Sequence, residues 1–229
     1  MKVHKTAGLT AVWRYMGNVD GHSYLRVGLF TKVVGGILGL LDPNSVQTIA
    51  QRTLSIDSFI KKLKPMHVIE IGAGLSSRAR RFPGIEFYEL DLPYFKKIKG
   101  ETIPFEIGKD RLNEKLKLQS EKNIFVIEGV SMYLQKELLL DLLRQVKKYK
   151  GSILIDFFSA ENSSRNKSPR ERAFKFLFRR FIDKSPAFDF RIDNASHGRA
   201  LLRGLGYKNV RHCKYKVKKT LDVLFYGEM

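Results

Sequence analysis

Residues 67–77 read HVIEIGAGLSS and give the strongest indication of the fold. The run from His67 to Ile71 is short and rich in β-branched residues, which indicates a buried strand. Gly72 and Gly74 follow at once, and such a turn lets a ligand lie against the backbone at a helix N-terminus. The third glycine of a dinucleotide-binding G-x-G-x-x-G turn is replaced by Ser77, so the turn is less suited to a pyrophosphate.

Strand and helix patterns alternate from this point to the C-terminus. Strands are predicted over 67–71, 85–90, 102–107, 124–127, 152–156, 207–210 and 221–226, and helices over 75–82, 110–118, 135–148 and 169–182. This alternation predicts an α/β fold with a doubly wound, mostly parallel seven-stranded sheet. We expect residues 1–66 to form an N-terminal helical cap and lid, and 67–229 to form the core, with a basic helical insertion near 157–200.

The composition is that of one basic globular domain. Among 229 residues, 42 Lys and Arg stand against 23 Asp and Glu, a formal charge of +19, and the 43% hydrophobic content excludes disorder of the whole chain. Basic residues are dense over 165–184 and 208–219, where they alternate with Phe, Tyr or Val. The pattern is typical of amphipathic elements with a solvated basic face, and an anionic partner such as RNA, an acidic protein or a membrane surface is the alternative.

Two further features bear on the compartment. The lone Cys213 excludes an intramolecular disulfide and a multi-cysteine metal site, and residues 1–21 contain no signal-peptide core, so we expect a cytoplasmic protein. The five histidines show no paired ligand spacing, so no metal site is expected.

The apolar stretch Val27 to Leu41 contains Lys32 and four glycines and is shorter than the ~20 residues of a membrane span. It is expected to pack as a lid or core segment, or else to line a pocket or touch a membrane surface.

Carboxylates stand at the ends of two predicted strands. Asp91 lies 19 residues (91 − 72) after Gly72, a spacing that suits a carboxylate accepting hydrogen bonds from a ribose diol. Residues 125–134, FVIEGVSMYL, place Glu128 and Tyr133 at the mouth of the same crevice, where a carboxylate suits a cationic ligand. Both nicotinamide cofactors and S-adenosylmethionine are held in this way, so the pattern predicts a nucleoside ligand at the carboxyl edge of the sheet.

Other functions fit the same residues less well. Gly129-Val-Ser131 is part of a G-x-S-x-G nucleophile elbow, but Tyr133 replaces the second glycine and would crowd the turn. A nicotinamide oxidoreductase is disfavoured by Ser77. A nucleic-acid-binding module without catalysis remains as an alternative because of the high positive charge.

The motifs, in this order and spacing, resemble the leucine carboxyl methyltransferase family of class I S-adenosylmethionine-dependent methyltransferases. The segments that carry the resemblance are QRTLSID (51–57), VIEIGAGLSSRARRF (68–82), FYELDLP (87–93) and VIEGVSMYL (126–134). It covers roughly residues 10–156 and is weak beyond them. The resemblance implies an O-methyltransferase that acts on a carboxylate or hydroxyl of a small-molecule or peptide acceptor. The charge of +19 keeps a basic nucleic-acid-binding protein or an RNA-directed methyltransferase as the alternative. A methyltransferase fold that has lost its activity and acts as a binding protein is a further alternative.

The resemblance also implies roles for single residues. Arg52 would pair with the methionyl carboxylate of S-adenosylmethionine, for which its planar guanidinium is suited, and Glu128 would face the amine and sulfonium. Tyr133 would lie beside the methyl-transfer path as the catalytic residue. The remaining implied cofactor contacts are Glu70, Gly72, Ala73 and Gly74 at the turn, Asp91 at the ribose, and Asp110 with Arg111 at the adenine.

These residues also have structural interpretations. Arg52 fits a surface helix, Asp91 a turn before Pro93, and Asp110 a helix N-cap. Arg14 is a further candidate for a cofactor or substrate carboxylate, and His197 is a weaker candidate for a general base. The sequence shows no obvious base beside the predicted crevice, which favours an acceptor that is already ionised.

Overall fold

The computed structural model of the protein describes residues 3–95, 102–118, 122–159, 169–182, 190–213 and 222–229. The helices before the sheet are α1 (Val3–Met16), α2 (His22–Leu25), α3 (Leu29–Leu41) and α4 (Pro43–Leu63). The chain continues with β1 (His67–Ile71), α5 (Arg78–Arg81), β2 (Glu86–Asp91), β3 (Ile103–Pro104), α6 (Leu112–Lys115), β4 (Asn123–Ile127), a 3₁₀ turn (Ser131–Tyr133) and α7 (Lys136–Val146). The last elements are β5 (Gly151–Phe158), α8 (Pro169–Leu177), a π-helical turn (Phe178–Ile182), α9 (Ala195–Gly204), β6 (Lys208–His212) and β7 (Asp222–Glu228).

The sheet has seven strands in the order β3-β2-β1-β4-β5-β7-β6. The first five in this order are parallel, whereas β7 is antiparallel to both β5 and β6. The expected α/β class and strand number are confirmed, and the reversed β7 makes the sheet mixed. The strand order reverses between β1 and β4, and open α/β sheets bind ligands outside the carboxyl ends of their strands at such a point.

Both faces of the central strands are buried, as their continuous apolar sequences predict. Ile69 of β1 lies in one core cluster with the apolar side of α7, whose members there are Leu139, Leu142, Leu143 and Val146. The neighbouring Val68 lies in a different cluster, with Ile56 and Ile60 of α4. Since successive side chains of a strand point to opposite faces, α4 and α7 cover the two faces of the sheet.

The N-terminal helices pack on one another, and α4 also packs on one face of the sheet. Trp13 of α1 donates its indole N–H to the carbonyl oxygen of Gly35 at 3.0 Å. The predicted apolar stretch 27–41 contains α3, which buries Val34, Gly35, Leu38 and Gly39 on one side. The division into a cap of residues 1–66 and a core remains a prediction. Within the described ranges, no helix combines the length and apolar character needed to cross a bilayer.

Several predicted elements were too long. The strand predicted over 102–107 covers only Ile103–Pro104, and the helices predicted over 75–82 and 110–118 each form a single turn. The short β3 still pairs with β2 in parallel, and the N–H of Phe105 donates to the carbonyl oxygen of Asp91 at 2.7 Å.

The basic insertion predicted near 157–200 stays a prediction, and regular elements lie at its two ends. Its first residues, 157–158, belong to β5, and its last, 195–200, belong to α9. The predicted helix 169–182 is α8 followed by the π-helical turn. Residues 160–168 and 183–189 of the insertion, and 214–219 of the second basic stretch, lie outside the described residues.

Gly151 provides a test of the sheet geometry. Its φ is 129°, and a Cβ there would overlap the backbone of Asn123 on the neighbouring strand. We expect Gly151→Ala to lower the free energy of unfolding by about 2–3 kcal/mol. Gly36→Ala is the matched control, because a Cβ meets nothing within 4 Å at that helical position and should stabilise the protein by roughly 0.5–1 kcal/mol. Urea unfolding of both variants is the measurement, and equal effects would contradict the strand pairing.

Candidate functional site

A cavity of about 300 Å³ lies at the carboxyl ends of β1, β2 and β4, where the strand order reverses. Helices α1 and α4 close it on the other side. Its lining residues are Thr6, Ala7, Thr10 and Arg14 from α1, Arg52 from α4, and Gly72, Gly74, Leu75, Asp91, Leu92, Phe95, Phe105, Glu106, Ile107, Glu128, Gly129, Val130, Tyr133 and Leu134. The cavity thus stands where the sequence predicts a nucleoside ligand.

The glycine turn after β1 forms one wall of the cavity. Gly72 and Gly74 have φ values of 70° and 55°, in the left-handed region that favours glycine. A Cβ at Gly72 would overlap the side chain of Val130, so this position needs glycine for space as well as for conformation. The turn is fixed to β2, because the N–H of Gly72 donates to the carbonyl oxygen of Leu90 at 2.8 Å.

Asp91 holds the facing end of β2 against this turn. Its carboxylate accepts from the N–H of Gly74 at 2.5 Å through one oxygen and from the N–H of Leu92 at 2.7 Å through the other. The side chain is largely buried yet belongs to the cavity lining. Asp91 therefore shapes the turn and also presents a carboxylate to the cavity.

Glu128, at the end of β4, is the centre of a buried ion-pair network. Arg14 and Arg52 donate to its Oε1 at 3.0 and 3.1 Å, and Arg78 donates to its Oε2 at 2.6 Å. Burial alone would raise the pKa of Glu128, but the guanidinium charges of Arg14, Arg78 and Arg52 lower this pKa well below its ordinary value. Glu128 is therefore a carboxylate at neutral pH and is unsuited to taking a proton.

Arg52 extends the network to β5 and β7. Its Nη1 donates to Asp156 at 2.7 Å and also to Asp222. Burial raises the pKa of Asp156 to about 6, although the charge of Arg52 acts to lower it, and burial likewise raises the pKa of Asp222. The other oxygen of Asp156 accepts from the N–H of Gly129 at 2.7 Å, so this residue also fixes the turn after β4.

Arg78 is the residue that the sequence analysis missed. Its guanidinium donates to three carboxylates, those of Asp57 at 2.9 Å, Glu70 at 2.6 Å and Glu128 at 2.6 Å. Burial would lower the pKa of Arg78, but these carboxylates raise it, so the side chain stays charged. Arg81 adds a second contact to Asp57. The only signal in the sequence was an arginine just after the glycine turn, within the segment that carries the family resemblance.

The structure brings six of the predicted site residues together and leaves four outside the cavity. Arg52, Gly72, Gly74, Asp91, Glu128 and Tyr133 all line it, and so does Arg14. The residues outside the lining are Glu70, Ala73, Asp110 and Arg111. The predicted roles of all ten toward the cofactor stay predictions.

The contacts of the outlying residues explain their positions. Glu70 turns toward Arg78 and accepts from the hydroxyl of Ser76 at 3.0 Å. Asp110 accepts from the N–H of Glu106 at 2.7 Å, and Arg111 pairs with Asp141 of α7 at 2.9 Å. Phe105, Glu106 and Ile107, just before this pair, face the cavity instead.

The two other candidates for chemistry lie elsewhere. The hydroxyl of Ser131 is buried and donates to the carbonyl oxygen of Asp156 at 2.6 Å, an arrangement that does not suit a nucleophile. His197 contacts Asp193 at 3.0 Å at the start of α9 and is not part of the lining. Within the described residues, no cluster of three His, Cys, Asp or Glu side chains is arranged to hold a metal ion.

No family sequence model and no curated protein matches this chain in sequence. Solved structures do match it. The crystal structure of human N-acetylserotonin methyltransferase in complex with S-adenosylmethionine aligns with a TM-score of 0.56 and 14% identity, over 87% of this chain and 58% of that one. The S-adenosylmethionine-dependent methyltransferase SibL gives 0.52 and 15%, over 80% and 57%. A DUF574 family protein from Streptomyces avermitilis gives 0.60 and 8%, over 96% of both chains.

The chain shares its fold with these solved structures, two of which are described as methyltransferases. It spans less than two thirds of the length of the first two of these proteins. At 8–15% identity this likeness establishes the fold alone. The activity has to be argued from the residues of the site. The narrower resemblance to the leucine carboxyl methyltransferase family stays a prediction from the sequence motifs.

The buried aspartate pair predicts a specific pH dependence. The pKa of Asp156 is about 6 in the folded protein against 3.8 ordinarily, so between about pH 4.5 and 6 the native state holds a proton that the unfolded chain has released. The free energy of unfolding therefore falls as pH rises through this window, by about 2 kcal/mol from this group. Asp156→Asn should remove that part of the decline, as measured by urea unfolding across the window.

Asp141→Asn is the matched control for this experiment, because Asp141 is a solvent-accessible carboxylate that pairs with Arg111 on the surface. It should keep the wild-type slope between about pH 4.5 and 6. The same slope in wild type and Asp156→Asn would show that this carboxylate is ionised throughout, contrary to its burial.

Proposed function

We propose that the protein is an S-adenosylmethionine-dependent O-methyltransferase that acts on a carboxylate or hydroxyl of a small-molecule or peptide acceptor. The observation that carries the proposal is the cavity, which places the Gly72–Gly74 turn, Asp91 and Glu128 around one space at the reversal of strand order. Support for the cofactor comes from one structural neighbour described as S-adenosylmethionine-dependent and from another that was solved in complex with S-adenosylmethionine.

The residues present fit this cofactor. The turn at Gly72 and Gly74 leaves backbone without side chains facing the cavity, and Asp91 offers carboxylate oxygens that suit ribose hydroxyls. Phe105 and Ile107 supply apolar surface that suits the adenine. The volume of about 300 Å³ lies at the lower end of the roughly 300–1,000 Å³ typical of small-molecule sites.

Glu128 and Arg52 would serve the methionyl end. Glu128 stays ionised and suits the amine, whereas Arg52 lines the cavity beside it and suits the methionyl carboxylate. The guanidinium of Arg52 is already oriented by Glu128 and Asp156. A cofactor at this end would therefore meet charged groups that are fixed before it binds, which reduces the ordering cost of binding.

The cofactor, when bound, supplies a methyl group on a sulfonium, which is transferred by in-line displacement. The protein then has to align the acceptor and exclude water. Tyr133 and Arg14 are the donors in the lining that suit an acceptor oxygen. None of the described lining residues is His, Lys or Cys, and Glu128 is unsuited as a base, so Asp91 and Glu106 are the lining carboxylates outside the Glu128 network. We favour an acceptor that is ionised at neutral pH, such as a carboxylate, because it needs no base.

Calorimetric titration with S-adenosylmethionine, S-adenosylhomocysteine and NAD in parallel tests the proposal. We expect micromolar binding of the two adenosyl ligands and none of NAD. Asp91→Asn should weaken adenosyl binding by about tenfold to a hundredfold, because a hydrogen bond to a charged group contributes about 1.5–3 kcal/mol. Gly72→Val should abolish binding, since the side chain would overlap Val130 and fill the turn.

Asp193→Asn is the matched control, because this carboxylate is 81% exposed and lies outside the cavity lining, and wild-type affinity is expected. Circular dichroism of each variant checks that the fold is retained. Binding of NAD alone would favour an oxidoreductase. Failure of all three ligands to bind the folded wild-type protein would show that the proposed function is wrong.

A further inference from the structure

Helix α3 presents an apolar stripe to solvent. Leu29, Phe30, Val33, Ile37 and Leu40 form this α3 stripe, and their exposed fractions run from 47% at Ile37 to 78% at Leu29. They lie on the side of the helix away from its buried face. Single exposed apolar residues are ordinary, but a contiguous row of large ones indicates an interaction surface.

Helix α8 and the π-helical turn run beside the stripe. Near the start of α8, Arg170 donates to the carbonyl oxygen of Leu40 at 2.6 Å, at the end of α3. Near the end of the π-helical turn, the ring of Phe181 contacts Phe30, at the start of α3, with a centroid separation of 5.8 Å. The two segments are therefore antiparallel neighbours along the whole length of the stripe.

This neighbouring segment is strongly basic. Its exposed cationic side chains, here called the basic border, are Arg170, Arg172, Lys175, Arg179 and Arg180. Phe176, also on α8, adds an apolar side chain that is 67% exposed. The sequence of 22–41 contains no acidic residue, and that of 169–182 contains only Glu171. Within these two described stretches, an apolar ridge thus stands beside a row of positive charge, and Glu171 is the single acidic residue.

We propose that the α3 stripe and the basic border form a docking surface for an anionic lipid bilayer. A bilayer with anionic headgroups can bind the α3 stripe and the basic border at once. The apolar side chains would enter the boundary between headgroups and acyl chains, and the Arg and Lys side chains would contact the phosphates. A nucleic acid would neutralise the basic border but leave the five apolar side chains in water. This surface is separate from the cavity, and the proposal does not depend on the cofactor.

Co-sedimentation of the full chain with vesicles tests the proposal. Vesicles of phosphatidylcholine alone are compared with vesicles containing one third phosphatidylglycerol. We expect binding to the anionic vesicles that weakens with added salt, and little binding to the neutral ones. Arg179→Ser with Arg180→Ser should weaken binding about thirtyfold, because each basic residue near an anionic surface contributes about 1 kcal/mol. Lys61→Ser with Lys62→Ser is the control, which removes the same charge from α4 and should change binding little.

The apolar half is tested separately. Val33→Glu with Ile37→Glu should abolish binding at low salt, whereas Leu54→Glu with Leu63→Glu, on α4, should change it far less. All four positions are exposed on helices, where Glu is well tolerated, and thermal unfolding checks the fold.

Four outcomes would overturn the proposal. One is no binding to anionic vesicles at low salt, and another is binding that both stripe and border variants retain. The third is an oligonucleotide that binds the protein more tightly than the vesicles do and displaces them. If Val33→Glu with Ile37→Glu leaves this oligonucleotide binding unchanged, the basic border is a nucleic-acid site. A concentration-dependent dimer in sedimentation equilibrium, lost in the same stripe variant, would assign the stripe to a second copy of the chain and also overturn it.

Discussion

The buried carboxylate of Glu128 is the constraint on which the arrangement of the site depends. It lies at the end of β4, and its partners Arg14, Arg52 and Arg78 come from α1, α4 and the start of α5. An unpaired charge at such a depth would cost about 3–5 kcal/mol, so each of these elements must keep its guanidinium against the strand end. The network therefore positions the helices that close the cavity, as well as the charges within it.

The same network limits the chemistry of the cavity. Three guanidinium groups hold Glu128 in its ionised form. One of them, Arg52, also pairs with Asp156 on β5 and Asp222 on β7. Glu128 and its arginine partners are thus fixed in place, and Glu128 is a poor proton acceptor. Such a site suits a reaction in which alignment matters more than proton transfer, and displacement at a sulfonium methyl by an ionised oxygen is of this kind.

Much of the sheet could be predicted from the sequence, because buried parallel strands have continuous β-branched runs such as 67–71 and 124–127. Asp91, at the end of β2, and Glu128, just after β4, could be placed at the cavity because the carboxyl ends of parallel strands meet at one edge of the sheet. The contacts of Arg78 with Asp57 and Glu70 could not, since they join segments that only the packing of α4 against the sheet brings together. The shortness of β3 and the positions of Asp110 and Arg111 depend likewise on tertiary contacts that periodicity does not encode.

A crystal structure of the protein grown with S-adenosylhomocysteine tests the central claim most directly. The account predicts that the ligand lies in the cavity against the backbone of Gly72 and Gly74, with its ribose hydroxyls bonded to Asp91. It also predicts that Arg14, Arg52 and Arg78 keep their ion pairs with Glu128. A ligand bound outside this cavity, or one that displaces Arg52 and Arg78 from Glu128, would contradict the view that the ion-pair network prepares the site for the cofactor.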